Sequence, residues 1–597
     1  MKFFSRMGQW ASAVWLFVRL LFVAQTWRDG ARWLWRGSVW CVLLPRTIWR
    51  WIKRTYQDRL RYSRSHLGRR PFLPPQLLFI PLMIVPAFMG FVAGLDNPFL
   101  VVLLAGLVFA VMVFVLMSTR GMLQVLFVLT FLVQGSIMYF AKFSKAPWLA
   151  VGMGGLLFFR ALLEFTTYNR RDLKPLPQAG PVLFALLMFV ACFFASTALN
   201  RPGASQIISS LKTTFPMFGV LAVLIWFKWD SLFLQRIWRL MLVVVVCQLP
   251  VVAYQHFFVA GKRAQGFDSV VGTFGGSEVA GGLSAVMVFF LICALGYALA
   301  AWHRKQLDRR WVIFIVLCIF ANILLGEVKA GFVWIPVMCL MVLRQRVLKN
   351  VGTVIASGIV LAVVLGGVYV TYDALYWKNE KTQKAGTSEK LERTTSYFFD
   401  TRNIDYTTGE VSRGASIALW AEDRQASLPR RMIGYGPGAS KSGSVLGKGE
   451  VARRFEPLAI DATTVAVLLW DLGVLGFTSY VGMMLGGIWV AWRFMRSGQG
   501  SERQRAIMDA CFASLVLMLS KLIYNRSLTD EPTLQLLFLW ILGCIVQIAR
   551  FPEAPDAKVE AAPVKEPAPG RRRAFIPRPR RAAPLYPQRK RAGAQAH

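Results

Sequence analysis

The sequence predicts an all-α, polytopic membrane protein with about fourteen transmembrane helices, within an expected range of about 12–14. Of its 597 residues, 55% are hydrophobic and 17% are charged, and the mean hydropathy is +0.47. These values are typical of proteins that use the bilayer as the solvent for their apolar surface. The Lys and Arg residues, which give a net charge of +38, cluster in short links between apolar runs and at the two ends.

Apolar runs long enough to cross a bilayer follow one another after Pro74 and Pro75. The predicted spans cover approximately residues 76–94, 98–117, 121–141, 147–164, 180–198, 207–227, 236–258, 278–301, 311–328, 331–343, 351–371, 463–491, 506–524 and 533–549. The 331–343 run is short for a full crossing.

Residues 1–74 form a basic, Trp-rich segment with two apolar stretches that arginines interrupt. Neither stretch offers the roughly 20 uninterrupted apolar residues of a spanning helix. We interpret them as amphipathic helices in the membrane interface, with a hairpin through the bilayer as the alternative. At the other end, residues 551–597 are rich in Pro, Ala and Arg without hydrophobic periodicity, which predicts a disordered basic tail.

The basic links set the predicted orientation, because cytoplasmic loops carry an excess of Lys and Arg. The rule places both termini of the multi-pass chain in the cytoplasm. The same charges favour anionic membrane lipids as partners and make nucleic acid an improbable one. All eight cysteines lie in apolar runs and the four histidines are scattered, so the pattern predicts no disulfide framework, no metal site and no cofactor.

The membrane domain, residues 75–550, contains one long polar interruption, residues 372–457, which the orientation places outside the cytoplasm. Arg413 and Trp420 are seven residues apart there, a spacing that puts both on one face of a helix. An Arg fork can hold a pyrophosphate, and a nearby carboxylate such as Asp423 can take a proton from a hydroxyl. The glycine-rich turn around Gly436 and the carboxylate of Asp461 follow.

Two shorter links fall on the same predicted side. The first runs from Lys262 and Arg263 to Gly272 and Thr273, where glycines before a helix would let backbone N–H groups approach an anion beside two cations. The second carries Glu327 and Lys329 between two apolar runs. Charges at membrane depth face a cavity or one another.

In residues 76–550 the chain resembles the O-antigen polymerase and ligase superfamily of bacterial integral membrane glycosyltransferases. The resemblance rests on the span count, on Val271-Gly272-Thr273-Phe274-Gly275 opening a span, on the Arg413 to Trp420 spacing followed by Gly434-Tyr435-Gly436-Pro437-Gly438, and on Leu469-Trp470-Asp471-Leu472-Gly473 after the loop. Where the ligases carry a His-Asn pair, this chain has Ala462-Thr463 beside Asp461. That departure favours a polymerase over a ligase.

The resemblance implies a multi-pass protein of the bacterial inner (cytoplasmic) membrane, with a metal-independent transfer at its periplasmic face and residues 372–457 as a periplasmic loop. A polyprenyl-pyrophosphate-linked glycan would be the donor, and a sugar hydroxyl of a second lipid-linked glycan would attack it, building an exopolysaccharide, capsule or O-antigen. Cations would stabilise the leaving pyrophosphate, and a carboxylate would orient or deprotonate the hydroxyl. The cations assigned to this role are Arg413, Arg263, Lys262 and Lys329, the backbone contributors are Gly272, Thr273 and Gly436, and the carboxylates in order of preference are Asp461, Glu327 and Asp423.

Other functions stay open at this stage. A ligase would use the same donor with lipid A core as the acceptor. A flippase or exporter of lipid-linked sugars, or a non-catalytic subunit of a polysaccharide synthase, would need none of these side chains for chemistry. A polymerase would also be expected to work with a chain-length regulator and with export machinery.

Overall fold

The computed structural model describes residues 117–167, 177–259, 270–277, 281–326, 330–347, 349–372, 399–443 and 447–555, with a few isolated positions besides. The predicted N-terminal segment, the first span, most of the second and most of the basic tail lie outside these residues. Helices dominate the described chain. Its strands are a short antiparallel pair, β1 (Gly276–Ser277) and β2 (Gly281–Gly282), with Gly276 opposite Gly282.

Most of the helices are predominantly apolar, and the short helices within residues 428–454 and 527–530 are polar. In chain order they are α1 (Thr119–Val128), α2 (Gln134–Phe140), α3 (Pro147–Thr167), α4 (Gly180–Asn200), α5 (Ala204–Thr214), α6 (Phe218–Trp226), α7 (Ser231–Tyr254), α8 (Ser284–His303), α9 (Arg309–Leu325), α10 (Gly331–Val347), α11 (Val351–Tyr372), α12 (Arg413–Ala421), α13 (Leu428–Ile433), α14 (Glu450–Arg454), α15 (Thr464–Arg496), α16 (Glu502–Tyr524), α17 (Ser527–Asp530) and α18 (Pro532–Arg550). Five-residue π-helical turns join α1 to α2 (Leu129–Val133) and extend α7 (Gln255–Val259).

Seven helical segments of the described chain are long and apolar enough to cross a membrane, which indicates a membrane protein. They are Thr119–Phe140, Gly180–Asn200, Ser231–Val259, Ser284–His303, Thr464–Arg496, Glu502–Tyr524 and Pro532–Arg550. The predicted helical membrane architecture is therefore confirmed, whereas the number of crossings in the whole chain stays a prediction.

The span predicted over residues 207–227 is two helices rather than one. The axes of α5 and α6 differ by 56° across a break at residues 215–217, and together they would count as an eighth crossing. Pro216 explains the break, because a proline lacks the amide hydrogen that a continuous helix needs and its ring clashes with the preceding turn.

Three helices form the centre of the bundle. Nearly every residue of α8 and α18 is buried, and so is most of α16. A membrane helix that buries its whole circumference must be surrounded by other helices rather than by lipid. Helices α4, α7 and α9 instead carry exposed leucine, valine and phenylalanine side chains such as Phe184, Leu187, Val243 and Leu317, which is the surface expected to face lipid.

The two ends of the bundle differ in charge. We call the end that carries residues 399–463 the loop end, and the opposite end, where α8, α15 and α18 finish, the basic end. At the basic end the buried carboxylate of Asp509 accepts hydrogen bonds from Arg304 at 2.8 and 3.0 Å and from Arg344 at 2.9 Å. Arg304 also pairs with Glu502 at 3.1 Å. This network joins the ends of α8, α10 and α16.

The described part of the loop has its own small core. Val411, Ala415, Tyr435, Ala439, Val451, Leu458 and Ile460 pack against Ala466 and Trp470 of α15. The centre of the Trp470 ring lies 5.8 Å from the centre of the Tyr435 ring and 5.4 Å from that of the Phe455 ring. This described part of the loop is therefore a folded unit fixed to the first turns of α15.

Candidate functional site

Arg413 begins α12, in agreement with the helix predicted from the sequence. Ser412 caps this helix, with its hydroxyl oxygen accepting a hydrogen bond from the Ala415 N–H at 3.1 Å. The Arg413 guanidinium carbon lies 4.3 Å from the centre of the Tyr524 ring, at the loop end of α16. Helix α12 thus carries its arginine onto the end of a membrane helix.

A second cation, Lys521, approaches the same ring from one turn deeper in α16. Its Nζ atom lies 4.6 Å from the centre of the Tyr524 ring, 5.3 Å from that of Trp334 and 5.9 Å from that of Phe289. The side chain is fully buried, and within the described part of the chain its ammonium has no hydrogen-bond acceptor. A buried cation without a counter-ion is costly, and this is the kind of position where an anionic ligand would be expected.

Asp461 lies just before α15 and is held by three donors. Its Oδ1 accepts a hydrogen bond from the Ser442 hydroxyl at 2.5 Å, its Oδ2 accepts one from the Ser442 N–H at 3.2 Å, and Arg526 forms an ion pair with it. The Asp461 side chain is 2% exposed, whereas that of Arg526 is 42% exposed. Asp461 therefore fastens the loop to the connection between α16 and α18.

The α16–α18 connection itself carries two carboxylates, Asp530 and Glu531. Asp530 pairs with Arg526 at 3.2 Å and with Lys441 at 3.7 Å, and Lys441 also donates a hydrogen bond to Thr213 of α5. Burial, with a contribution from the neighbouring charge of Asp530, raises the pKa of Glu531 to about 7. A carboxyl group that titrates near neutral pH is suited to accept a proton.

Asp423 forms an ion pair with Arg454 inside the loop. Its Oδ2 accepts hydrogen bonds from the Tyr435 hydroxyl at 2.5 Å and from Arg454 at 2.6 Å, and its Oδ1 accepts one from the Gln425 N–H at 3.1 Å. Burial alone would raise the pKa of Asp423, but the bonds from Tyr435 and Arg454 outweigh it and hold the pKa below the usual value. Such a carboxylate is a weak proton acceptor.

The glycine-rich turn that contains Gly436 docks against a kink in α15. The Gly436 N–H donates to the Asp471 carbonyl oxygen at 3.1 Å, and the Asp471 carboxylate accepts from the Gly438 and Ser440 N–H groups at 2.7 and 2.8 Å. Gly473 has a φ of +67° at the kink, and a side chain there would lie 2.5 Å from the Met432 carbonyl group. These backbone donors hold the loop against α15, so the Gly436 N–H is engaged within the protein.

The turn at Gly272 and Thr273 is buried in the bundle and clamped by two glutamines. The Gln255 amide oxygen accepts from the Val271 and Gly272 N–H groups at 2.9 and 2.7 Å, and the Gln248 amide oxygen accepts from the Thr273 N–H at 2.8 Å. Irregular backbone at membrane depth requires such partners, because lipid offers none.

The π-helical turn between α1 and α2 completes this clamp. The Thr273 hydroxyl donates to the Phe131 carbonyl oxygen at 2.5 Å. A π-helical turn shifts the backbone register, which makes a carbonyl available to an outside donor. Gly135 permits the close approach, since a side chain there would lie 2.1 Å from the Thr273 carbonyl oxygen.

The remaining predicted residues, Lys262, Arg263, Glu327 and Lys329, lie outside the described residues. The helices that precede them, α7 and α9, finish at the loop end. No cluster of three or more His, Cys, Asp or Glu side chains in the described part of the chain could hold a metal ion. No family model matches the chain, and no curated protein is significantly similar to it.

The structure thus brings Arg413 together with a residue that the sequence interpretation missed, Lys521. The signal was present, because Lys521 is a charged residue inside an apolar run predicted to span the membrane. Asp461, just before α15, contacts the α16–α18 connection through its ion pair with Arg526. Asp423 and Gly436 instead serve the packing of the loop, and Gly272 and Thr273 serve that of the bundle.

Proposed function

We propose that the chain is a polysaccharide polymerase that transfers a glycan from one polyprenyl pyrophosphate carrier to a second lipid-linked repeat unit. The observation that carries the proposal is the pair of cations, Arg413 and Lys521, over the ring of Tyr524 at the loop end. A membrane enzyme whose leaving group is a lipid pyrophosphate needs concentrated positive charge at the end of its bundle.

The chemistry places different demands on the two cations. As the anomeric carbon leaves the pyrophosphate oxygen, negative charge grows on the diphosphate, and preorganised donors stabilise that charge in a water-poor site. Lys521 supplies a buried ammonium with no acceptor among the described residues, so it gains a counter-ion when the diphosphate binds. The planar guanidinium of Arg413 can donate hydrogen bonds to two phosphate oxygens at once.

Two carboxylates, one on the α16–α18 connection and one paired with it, are the proposed proton acceptors. Asp461, the first choice from the sequence, is bonded to Ser442 and Arg526 and suits the orienting of a hydroxyl. Glu531 has the raised pKa that a general base needs near neutral pH. These two carboxylates are therefore assigned the removal of the proton from the attacking sugar hydroxyl.

In the proposed topology the whole chain crosses the bacterial inner membrane about fourteen times. The loop end faces the periplasm, and the basic end and both termini face the cytoplasm. The arginines at the basic end support this orientation, since positive residues are retained on the cytoplasmic side. Anionic lipids, a chain-length regulator and export machinery are the proposed partners.

Analysis of lipid-linked glycans in a deletion strain tests the proposal. A missing polymerase leaves single repeat units on the carrier, a missing ligase leaves long polymer on the carrier, and a missing flippase leaves units unavailable at the periplasmic face. We expect single units. Accumulation of long lipid-linked polymer would contradict the proposal in favour of the ligase.

Complementation of the same strain then tests the site. We expect Arg413→Ala and Lys521→Ala each to reduce polymer synthesis by about 10²–10³-fold, the loss typical for one donor to a developing oxyanion. Lys448→Ala is the matched control, because Lys448 pairs with Glu456 on the exposed loop surface. Normal polymer from both site variants, at equal protein level, would refute the assignment.

A further inference from the structure

Helix α13 presents an exposed apolar pair on an otherwise polar part of the loop. Leu428 is 75% exposed and Met432 is 37% exposed. The two are four residues apart in a helix and so are neighbours on one face. We call Leu428 and Met432 the α13 patch.

The length of α15 gives the depth of this patch. Below the kink at Gly473, residues 474–496 form a helix about 35 Å long, which matches a hydrocarbon core of about 30 Å plus its boundary. Arg493 and Arg496 mark its far end. The backbone of Met432 touches Gly473, so the α13 patch lies at the level where this helix leaves the hydrocarbon.

Helix α4 gives the same level independently. Its 21 residues are about 31 Å long and finish at Asn200. The Asn200 side-chain amide donates to the Gly434 carbonyl oxygen at 3.1 Å, directly after α13. Leu199 is 66% exposed and Leu475 is 38% exposed at the ends of these two helices. The α13 patch therefore continues the apolar surface of two membrane helices.

Cationic side chains accompany the patch. Arg430, on the same short helix, is exposed, and its guanidinium carbon lies 5.1 Å from the centre of the Tyr435 ring. Arg424 is also exposed. An apolar pair on one face with an exposed arginine on the other, at the boundary of the hydrocarbon, is the pattern of a helix that lies in the membrane interface.

We propose that α13 is an interfacial anchor: Leu428 and Met432 enter the phospholipid leaflet at the loop end, and Arg430, two residues from each, lies on the opposite, polar face of the helix. The occupant of the patch is the lipid leaflet rather than another protein. The anchor does not depend on the proposed reaction, since it follows from the position of α13 relative to α4 and α15.

Photo-crosslinking of the full chain in phospholipid vesicles tests the anchor. p-Benzoylphenylalanine is introduced by codon suppression, one position at a time, at 428 and 432. Position 485 on the lipid-exposed face of α15 is the positive control, and position 406 in an exposed turn of the loop is the negative control. Lipid adducts are counted by mass spectrometry.

We expect lipid adducts at 428 and 432 in yields comparable to that at 485, and a much lower yield at 406. Adducts at 428 and 432 no more frequent than at 406 would overturn the proposal. Adducts with another protein in native membranes, without lipid adducts, would also overturn it in favour of a protein partner. The probe replaces exposed side chains, so the fold is retained, which monodisperse elution verifies.

Discussion

Replacing Lys521 with methionine should make the protein more stable and less active at the same time. The ammonium is fully buried and has no acceptor in the described part of the chain. Methionine retains the unbranched stem and fills the same space without a charge. The change therefore removes an unpaired buried cation with little loss of packing.

The expected gain follows from the surroundings of Nζ. Burying an ion costs several kcal/mol after relaxation. The rings of Tyr524, Trp334 and Phe289, at 4.6, 5.3 and 5.9 Å, offset part of that cost, and such contacts contribute about 2 kcal/mol when desolvated. We expect Lys521→Met to raise the free energy of unfolding by roughly 1–4 kcal/mol, as for other replacements of buried charges by apolar side chains.

Thermal unfolding of the purified proteins in one detergent measures the change. Lys441→Met is the matched control, because Lys441 is also largely buried but pairs with Asp530 and Thr213. Its loss leaves a carboxylate with one partner fewer and should lower the unfolding temperature. The reasoning is refuted if Lys521→Met lowers the unfolding temperature as Lys441→Met does.

Inorganic pyrophosphate provides a second measurement on the same samples. A ligand that binds only the folded state stabilises it, by about 2.7 kcal/mol at a concentration one hundred times its dissociation constant. Pyrophosphate should raise the unfolding temperature of the unmodified protein and of Lys441→Met, but not that of Lys521→Met. An equal rise in Lys521→Met would show that Lys521 does not contact the anion.

Three further predictions concern the loop end. Asp461→Asn should lower the free energy of unfolding by about 2–4 kcal/mol, because it weakens the buried contact with Ser442 and leaves Arg526 with a single carboxylate. Gly473→Ala should lower the unfolding temperature and expose the loop to proteolysis, since the residue has a positive φ and no room for a side chain. Lowering the pH from about 8 to about 5.5 should stabilise the protein: the folded-state pKa of Glu531 is raised to about 7, so between its ordinary value and 7 the folded state binds more protons than the unfolded state.

Each of these has its own check. Asp461→Asn that retains stability but loses activity would make Asp461 a proton acceptor rather than a fastening. Gly358→Ala, at an open position of α11, is the control for Gly473→Ala and should have little effect. Glu531→Gln should reduce the pH dependence of unfolding, and an unchanged dependence in that variant would assign it to other groups.

Local patterns in the sequence were sufficient for parts of the fold. The apolar runs predicted the helical membrane architecture, and the Arg413 to Trp420 spacing predicted α12. These features depend on residues close together in the chain. The break between α5 and α6 also has a local cause, Pro216, but an apolar run with one proline is compatible with a kinked span as well as a broken one.

The site depended on contacts between distant residues. Lys521 stands out in the sequence only as one charge in a span, and nothing local relates it to Arg413 or Trp334. The glycine motifs were recognisable, yet whether their N–H groups face a ligand or the protein depends on Gln248, Gln255 and Asp471, which belong to other elements. Tertiary contacts decided these roles.

The two kinds of fastening at the loop end differ in their response to ionic strength. Neutral amides hold the turn at Gly272, whereas charges hold the segment at Lys441 and Ser442 through Asp530 and Asp461. Dissolved salt screens exposed charges over about 8 Å at physiological concentration but leaves amide hydrogen bonds largely intact. Because Arg526 is 42% exposed, concentrated salt should loosen the segment at 441–442 while the turn stays in place. The ionic strength of the surrounding solution can therefore change the attachment of the segment at 441–442 without affecting the turn at Gly272.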